Sequence, residues 1–498
     1  MTMKRRDALK TLGGLATAAG MAKLLPGCGD NGDAGIPKRP PGISTIVYLM
    51  LENRSYDHLL GARNLEGLGG DGLDNAKAMP DLDGTMVAPF DAGDDKGAAV
   101  ATVCDPDPPH GWDASHASFN TGTMDGFVQH HQMAHGNNTA LREPMKFLTR
   151  ANQPISWALA DAYTSCDRWF CSVMGPTLPN RAYWMAGTSF GQNTNDKVID
   201  EFAGGVPVPT IFNRLEEAGV DWCYYFGSIS VVSFQSNTSS GPYQIDLGEN
   251  NGTGRVRRFG DERAFAGGFF KDAAEGNLPA VVYIDPAFGS NDDHPPVHPI
   301  RGQELIAAVY TALAKSPIWE NCLLVVTYDE HGGYADHVPP PTSTDDTLEK
   351  FGVDGFQQLG FRVPAFVIGP YAKQNYISSV QYDHTSALKY LQNTFGLESL
   401  TARMAAATDI SDCIDLERLA NNDPAPPIEL PVITSEDYPF ETDACKGGSD
   451  FKPAADDPIT EWVDAHPGVL DRYADSRPNV PAYMEGIRNY LHAHGVRR

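Results

Sequence analysis

The chain has 498 residues, 41% hydrophobic and 10% aromatic, which is enough apolar material for one large domain with insertions or for two domains, and is not the composition of a disordered chain. Its formal charge of −26 excludes nucleic acid, whose phosphates would be repelled, and excludes holding an anionic membrane surface by charge. A phosphate can still bind such a protein where a metal ion or histidines invert the field locally.

Residues 1–35 read as a targeting segment. Lys4-Arg5-Arg6-Asp7 precedes a mildly apolar stretch, Ala8 to Leu25, too short and too weak for a stable span. The run resembles a signal for the twin-arginine export machinery, which predicts a periplasmic or secreted protein. Cys28 is a candidate lipoprotein cysteine, and Pro- and Gly-rich residues 26–42 read as a linker. Seven cysteines follow Cys28 with no C-x-x-C among them. An oxidising compartment permits disulfides, the odd count leaves one cysteine over, and the pairing is not readable from spacing.

Ile43 to Leu51 has the uniformly apolar pattern of a strand buried on both faces, and it stops at Glu52-Asn53-Arg54-Ser55. Residues 62–109 read as a surface insertion. His110, His116 and Asn120 follow in a Gly-containing stretch suited to phosphate contact or proton transfer. A helical pattern within 144–172 leads to an aromatic strand, Cys166 to Val173, and then to Gly175-Pro176-Thr177-Leu178-Pro179-Asn180-Arg181 and a helix over Ala182 to Thr188. Strand, Gly-Pro turn, hydroxyl and helix put Thr177 at a helix N-terminus, where backbone N–H groups favour an anion. Metal coordination would activate its hydroxyl as a nucleophile. The bland alternative, that Thr177 only caps the helix, leaves the surrounding Gly, Pro, Asn and Arg unexplained.

Between 192 and 279 the chain alternates helix (Ile211 to Ala218) and strand (Val220 to Phe226), then turns Ser-, Asn- and Gly-rich without a chemical motif. Ala280 to Asp285 is another strand ending in an acid, followed by Asp292-Asp293-His294-Pro295-Pro296 and His298. A helix, Gly302 to Lys315, returns the chain to the strand Cys322 to Thr327, which ends in Asp329 and Glu330, then Gly332-Gly333 and Asp336-His337. Adjacent carboxylates at the end of a buried strand demand a cation, because burying them unpaired costs several kcal/mol each, roughly. With Glu52 and Asn53 they make an all-oxygen set suited to a hard divalent metal ion. Arg362 to Ile368 reads as a strand, His384 to Phe395 as a helix opening at Asp383, and the tail from Ala454 as amphipathic helix.

ENRSYDHLLG, HGWDASHASFNTGTMDGF, GPTLPNR, DDHPP, YDEHGGYADHVPPP and DHTS occur in an order that resembles the bacterial phospholipase C/acid phosphatase phosphoesterase family. The resemblance spans residues 43–397. It implies an α/β fold, a doubly wound, mostly parallel sheet sandwiched by helices, with an alkaline-phosphatase-like core and loop insertions. It divides the chain into a signal and linker (1–35), a phosphoesterase domain (43–430) and a C-terminal extension packed on the core (431–498). Glu52, Asn53, Asp329, Glu330 and Thr177 would be metal ligands and Thr177 the nucleophile. His110, His294 and His298 would act on the phosphate or leaving group, with Asn120, Asn180, Arg181 and His337 binding substrate. The implied function is an exported metal-dependent phosphoesterase cleaving phosphodiester lipids, its substrate a phosphate ester presented at a membrane surface. The alternatives are an acid phosphatase acting on monoesters and a non-catalytic exported anion-binding protein.

Overall fold

The computed structural model describes residues 42–93, 104, 106–195, 197–198, 209–228, 230–234, 245–246, 255–260, 268–434 and 480–498. The expected export signal, Cys28 and the tail from Ala454 to 479 lie outside them.

Nine strands form one sheet: β1 (Thr45–Leu51), β2 (Thr164–Cys166), β3 (Trp222–Phe226), β4 (Ile245–Asp246), β5 (Val256–Arg258), β6 (Val281–Asp285), β7 (Cys322–Tyr328), β8 (Ala365–Ile368) and β9 (Tyr376–Ser378). Their order is β9-β2-β8-β7-β1-β6-β3-β5-β4. All pairings are parallel except those of β8, which runs against both β7 and β2. The central strands β1, β6 and β7 are buried along their whole length, so their sequences are apolar without alternation.

Helices cover the sheet: α1 (Trp112–Phe119), α2 (Pro154–Ala162), α3 (Thr177–Ala186), α4 (Ile300–Ala314), α5 (His384–Phe395) and α6 (Val480–Ala493). α2 and α6 pack on α4, and α5 packs on α3. From β1, Tyr48 reaches the second group: its ring meets Trp184 edge-on at 5.1 Å and its hydroxyl donates to Ala387 O at 2.9 Å. α6 buries Tyr483, Met484, Ile487 and Leu491, and Arg488 and Arg497 pair with the buried Glu304 of α4. The mostly parallel, helix-flanked α/β sheet is the fold class expected from sequence.

Two local expectations differ. The aromatic run Cys166 to Val173 is not one strand: it breaks after Cys166, where Asp167 N turns to Ser378 O, and resumes as a two-residue strand, Trp169–Phe170. α3 begins at Thr177 rather than Ala182, because a proline in the first turn removes a donor that has no helical partner there. Cys104 is disulfide-bonded, while Cys166, Cys171, Cys223, Cys322 and Cys413 are buried thiols outside any disulfide.

Candidate active site

Register brings the acids together. Leu51 of β1 lies beside Tyr328 of β7, and Leu49 beside Ile284 of β6, so Glu52, Asp329 and Asp285 leave one edge of the sheet side by side. Asn53 turns the chain with φ 61°, its N–H donating to Asp329 Oδ1 at 3.3 Å, while Glu330 N donates to the same oxygen at 2.9 Å. The paired glycines are a packing requirement. A Cβ on Gly332 (φ +60°) would stand 2.3 Å from Asn53 O, and one on Gly333 (φ +72°) would stand 2.7 Å from Pro108 O.

The start of α3 delivers Thr177 into this edge. The Asn180 side chain accepts from Val173 N at 2.9 Å and donates to the carbonyls of Val173, Gly175 and Pro176, fixing the Gly-Pro turn. Thr177, 1% exposed, donates through Oγ1 to Glu330 Oε1 at 2.8 Å.

One turn further, on the same face as Thr177, Arg181 points into the acids. Nε donates to Asp329 Oδ2 and Nη1 to Asp285 Oδ1, both at 3.0 Å, and Nη2 lies 3.5 Å from Glu52 Oε1. The expectation of a phosphate-binding arginine therefore meets a guanidinium already committed to carboxylates and only 2% exposed. That single charge does not balance the cluster. Burial, then the neighbouring Asp329 charge, pushes Glu52 and Glu330 well above the usual carboxylate range. Glu330 Oε2 and Asn53 Oδ1 are buried without a hydrogen-bond partner. Excess negative charge, orphaned oxygens and an all-oxygen donor set fit a hard divalent cation held by Glu52, Asn53, Thr177, Asp329 and Glu330.

Histidines line the other side. His110 Nε2 is 3.3 Å from Asn53 Nδ2 and 3.9 Å from Glu330 Oε1. Its Nδ1 donates to Pro108 O at 2.8 Å, so Nε2 presents a lone pair. His294 donates from Nδ1 to Pro295 O at 2.6 Å, leaving Nε2 buried and unpartnered, and burial together with His110 lowers its pKa to about 3. The two rings meet edge-on, 5.7 Å apart. Together with Asp107 they form a group able to hold a metal ion, and no spacing in the Pro-rich 105–109 stretch marks Asp107 in advance. His298 accepts from Ile300 N at 3.1 Å through Nδ1, which puts its ring hydrogen on Nε2. Sequence reasoning also passed over His331 and His384. His331 Nε2 is buried without a partner and its ring packs on Phe361; its one signal was adjacency to Glu330. His384 donates from Nε2 to Asp329 O at 2.7 Å while Trp169 Nε1 donates to its Nδ1, orienting Asp329 from behind.

Two expected residues stand elsewhere. Asn120 is exposed, its amide donating to Asp125 of its own loop at 2.8 Å. His337 belongs to a separate, partly buried network: Nδ1 is 2.7 Å from Asp57 Oδ2, Nε2 is 3.0 Å from Asp71 Oδ1, and Arg362 joins Asp57 and Asp336. Burial pulls its pKa down, but the hydrogen bond and charge of Asp57, with Asp336, push it up to about 9.

The chain matches the Phosphoesterase family over residues 43–398. It is 32% identical over 400 residues to non-specific phospholipase C6 of Arabidopsis thaliana, covering 75% of this chain and 72% of that protein. It is 31% identical over 396 residues to phospholipase C B of Mycobacterium tuberculosis, covering 71% and 74%. A solved structure described as a protein in the alkaline phosphatase superfamily from Vibrio parahaemolyticus is 12% identical, covering 82% of this chain and 79% of that one at a TM-score of 0.35, and adds no argument to the sheet described above. With the acids, the hydroxyl and the histidines gathered at the carboxyl edge of that sheet, the chain belongs to the phosphoesterase family and is a hydrolase of phosphoric ester bonds.

Proposed function

We propose that the protein is an exported, metal-dependent phospholipase C-type enzyme that cleaves phosphodiester lipids through Thr177. The observation that carries the reading is the 2.8 Å hydrogen bond from Thr177 Oγ1 to Glu330 Oε1, at a helix N-terminus beside carboxylates that a single guanidinium leaves under-neutralised. A divalent ion bound by Glu52, Asn53, Thr177, Asp329 and Glu330 would supply Lewis acidity, lowering the hydroxyl pKa and offsetting charge in the transition state.

The chain's own groups cover the remaining steps. Thr177 Oγ attacks phosphorus as its proton passes to Glu330 Oε1. The helix N-terminus steadies the equatorial oxygens. His298, with its hydrogen on Nε2, suits a hydrogen bond to the departing diacylglycerol oxygen, whose proton comes from solvent. A phosphothreonine diester remains. Water then attacks phosphorus, with the neutral His294 Nε2 as acceptor for the water proton; the bond to Thr177 Oγ breaks, the phosphorylated head group leaves, and Thr177 takes back its proton from Glu330.

A diester is favoured over a monoester because Arg181, the arginine nearest Thr177 in the chain, is buried and its charge is met by Asp329 and Asp285 rather than offered to a second phosphate charge. Export is supported by the twin arginine at Arg5-Arg6 and by the disulfide at Cys104, a bond typical of oxidising compartments. Specificity constants for phosphatidylcholine and p-nitrophenyl phosphate, measured with metal supplied, test the reading. It requires the lipid to be preferred. A hundredfold preference for the monoester would make the enzyme a phosphatase, and no turnover of either would favour a binding protein.

A further inference from the structure

We propose that Cys166 and Cys413 are a disulfide-forming pair, a covalent modification site tying the sheet edge around β2 to the turn at Ile410–Cys413. Cys166 ends β2, between Ala365 of β8 and Ser378 of β9. Cys413 ends the short helical turn capped by Asp409. The two sulfurs are 3.8 Å apart and both residues are 0% exposed. Their backbones are already held together: Lys373 N donates to Cys413 O at 2.9 Å, and Thr164 Oγ1 donates to Lys373 O at 2.9 Å. Closing to the ~2.05 Å of a disulfide therefore asks for side-chain rotation and a small approach, not a new backbone path. Two other buried thiols turn to backbone instead, Cys171 to Val173 O at 3.3 Å and Cys322 to Trp319 O at 3.4 Å.

The oxidant is a disulfide, small or protein-borne. The thiolate of one cysteine displaces a thiolate from it and forms a mixed disulfide. The second cysteine's thiolate then attacks the first cysteine's sulfur, making the Cys166–Cys413 bond and releasing the oxidant's second sulfur as a thiolate. The chain gives up two thiol protons and two electrons, and the oxidant's S–S bond takes both electrons. The mutual contact, then burial, raises the Cys166 thiol well above its usual range, so closure belongs to folding or to opening of the 410–413 turn rather than to the shut core. Such a bond bridges cysteines 247 positions apart, a long loop whose cross-linking strongly restricts the unfolded chain. It also clamps the strand from which the chain runs through Trp169–Phe170 to Thr177.

The test uses the purified full chain, held with oxidised glutathione at a urea concentration below the unfolding transition, then alkylated with N-ethylmaleimide in strong denaturant and digested without reductant. The expected result is a linked pair of peptides carrying Cys166 and Cys413, two hydrogens lighter than their sum, with Cys223 and Cys322 alkylated. Oxidised wild type should melt higher than Cys413→Ser treated identically, a comparison unaffected by the Cys104 bond. Should Cys413→Ser fail to fold, Cys166→Ala is read the same way. Maleimide on both Cys166 and Cys413 after oxidation, or equal melting of wild type and variant, overturns the proposal.

Discussion

Replacing Arg181 by methionine keeps side-chain bulk and removes the guanidinium bonded to Asp329 and Asp285 and facing Glu52. The contacts at 3.0 Å are buried, so solvent does not compensate the loss. Removing one partner of a buried ion pair costs about 3–5 kcal/mol, because the remaining charges stay uncompensated. With an unfolding entropy near 2.1 cal/mol/K per residue, that corresponds to a fall in melting temperature of roughly 3–5 °C for a chain of this length. The assay is thermal unfolding of chelator-treated Arg181→Met against wild type, repeated with divalent metal added. The metal-free variant should show the full loss. Added metal should stabilise the variant at least as much as wild type, since the freed carboxylates strengthen the demand for a cation, and saturation at 100 Kd contributes about 2.7 kcal/mol. An unchanged melting temperature without metal would refute the electrostatic account of the acid cluster.

Gly332→Ala should cut turnover at least tenfold and lower stability by about 1–3 kcal/mol, through a left-handed strain and a Cβ that collides with Asn53 O; activity and melting measured together check it. Asp329→Ala should bind less divalent metal than wild type when both are purified without chelator and analysed for metal content. The raised pKa of His337 gives a stability term fully present below about 6.5 and lost as pH climbs through about 9, because the folded state holds the proton between Asp57 and Asp71. His337→Gln should flatten that part of the metal-loaded stability–pH curve; an unaltered difference between the two proteins from pH 6 to 10 would contradict it.

The central strands were legible because burial on both faces makes β1, β6 and β7 continuous apolar runs, and the acids ending them marked the edge where Glu52, Asp285 and Asp329 meet. α5 was legible at both ends: Asp383 and Ser386 form a capping box, and Gly396 closes it at φ 69°. The break between β2 and Trp169–Phe170 was not legible, since it depends on Asp167 bonding to Ser378 across the sheet edge. The same limit hid the role of Arg181. Its spacing from Thr177 was visible, but whether its charge meets a substrate or Asp329 is decided by strands far apart in the chain. His337 sat in the most specific motif, yet its partners Asp57 and Asp71 lie 280 and 266 positions away. His331 and Asp107 carried no periodic or spacing signal, and only their burial near His110 brings them into view.

The most direct test of the central claim is to quench the enzyme during turnover of a slow phosphodiester substrate and map the modified peptide by mass spectrometry. The account predicts a phosphoester on Thr177 that disappears as turnover ends. It also predicts that Thr177→Ala is unlabelled and slower by on the order of a thousandfold, about 4 kcal/mol of barrier, with metal content and melting temperature little changed. A label on another residue, or a Thr177→Ala enzyme that turns over at the wild-type rate, would contradict it.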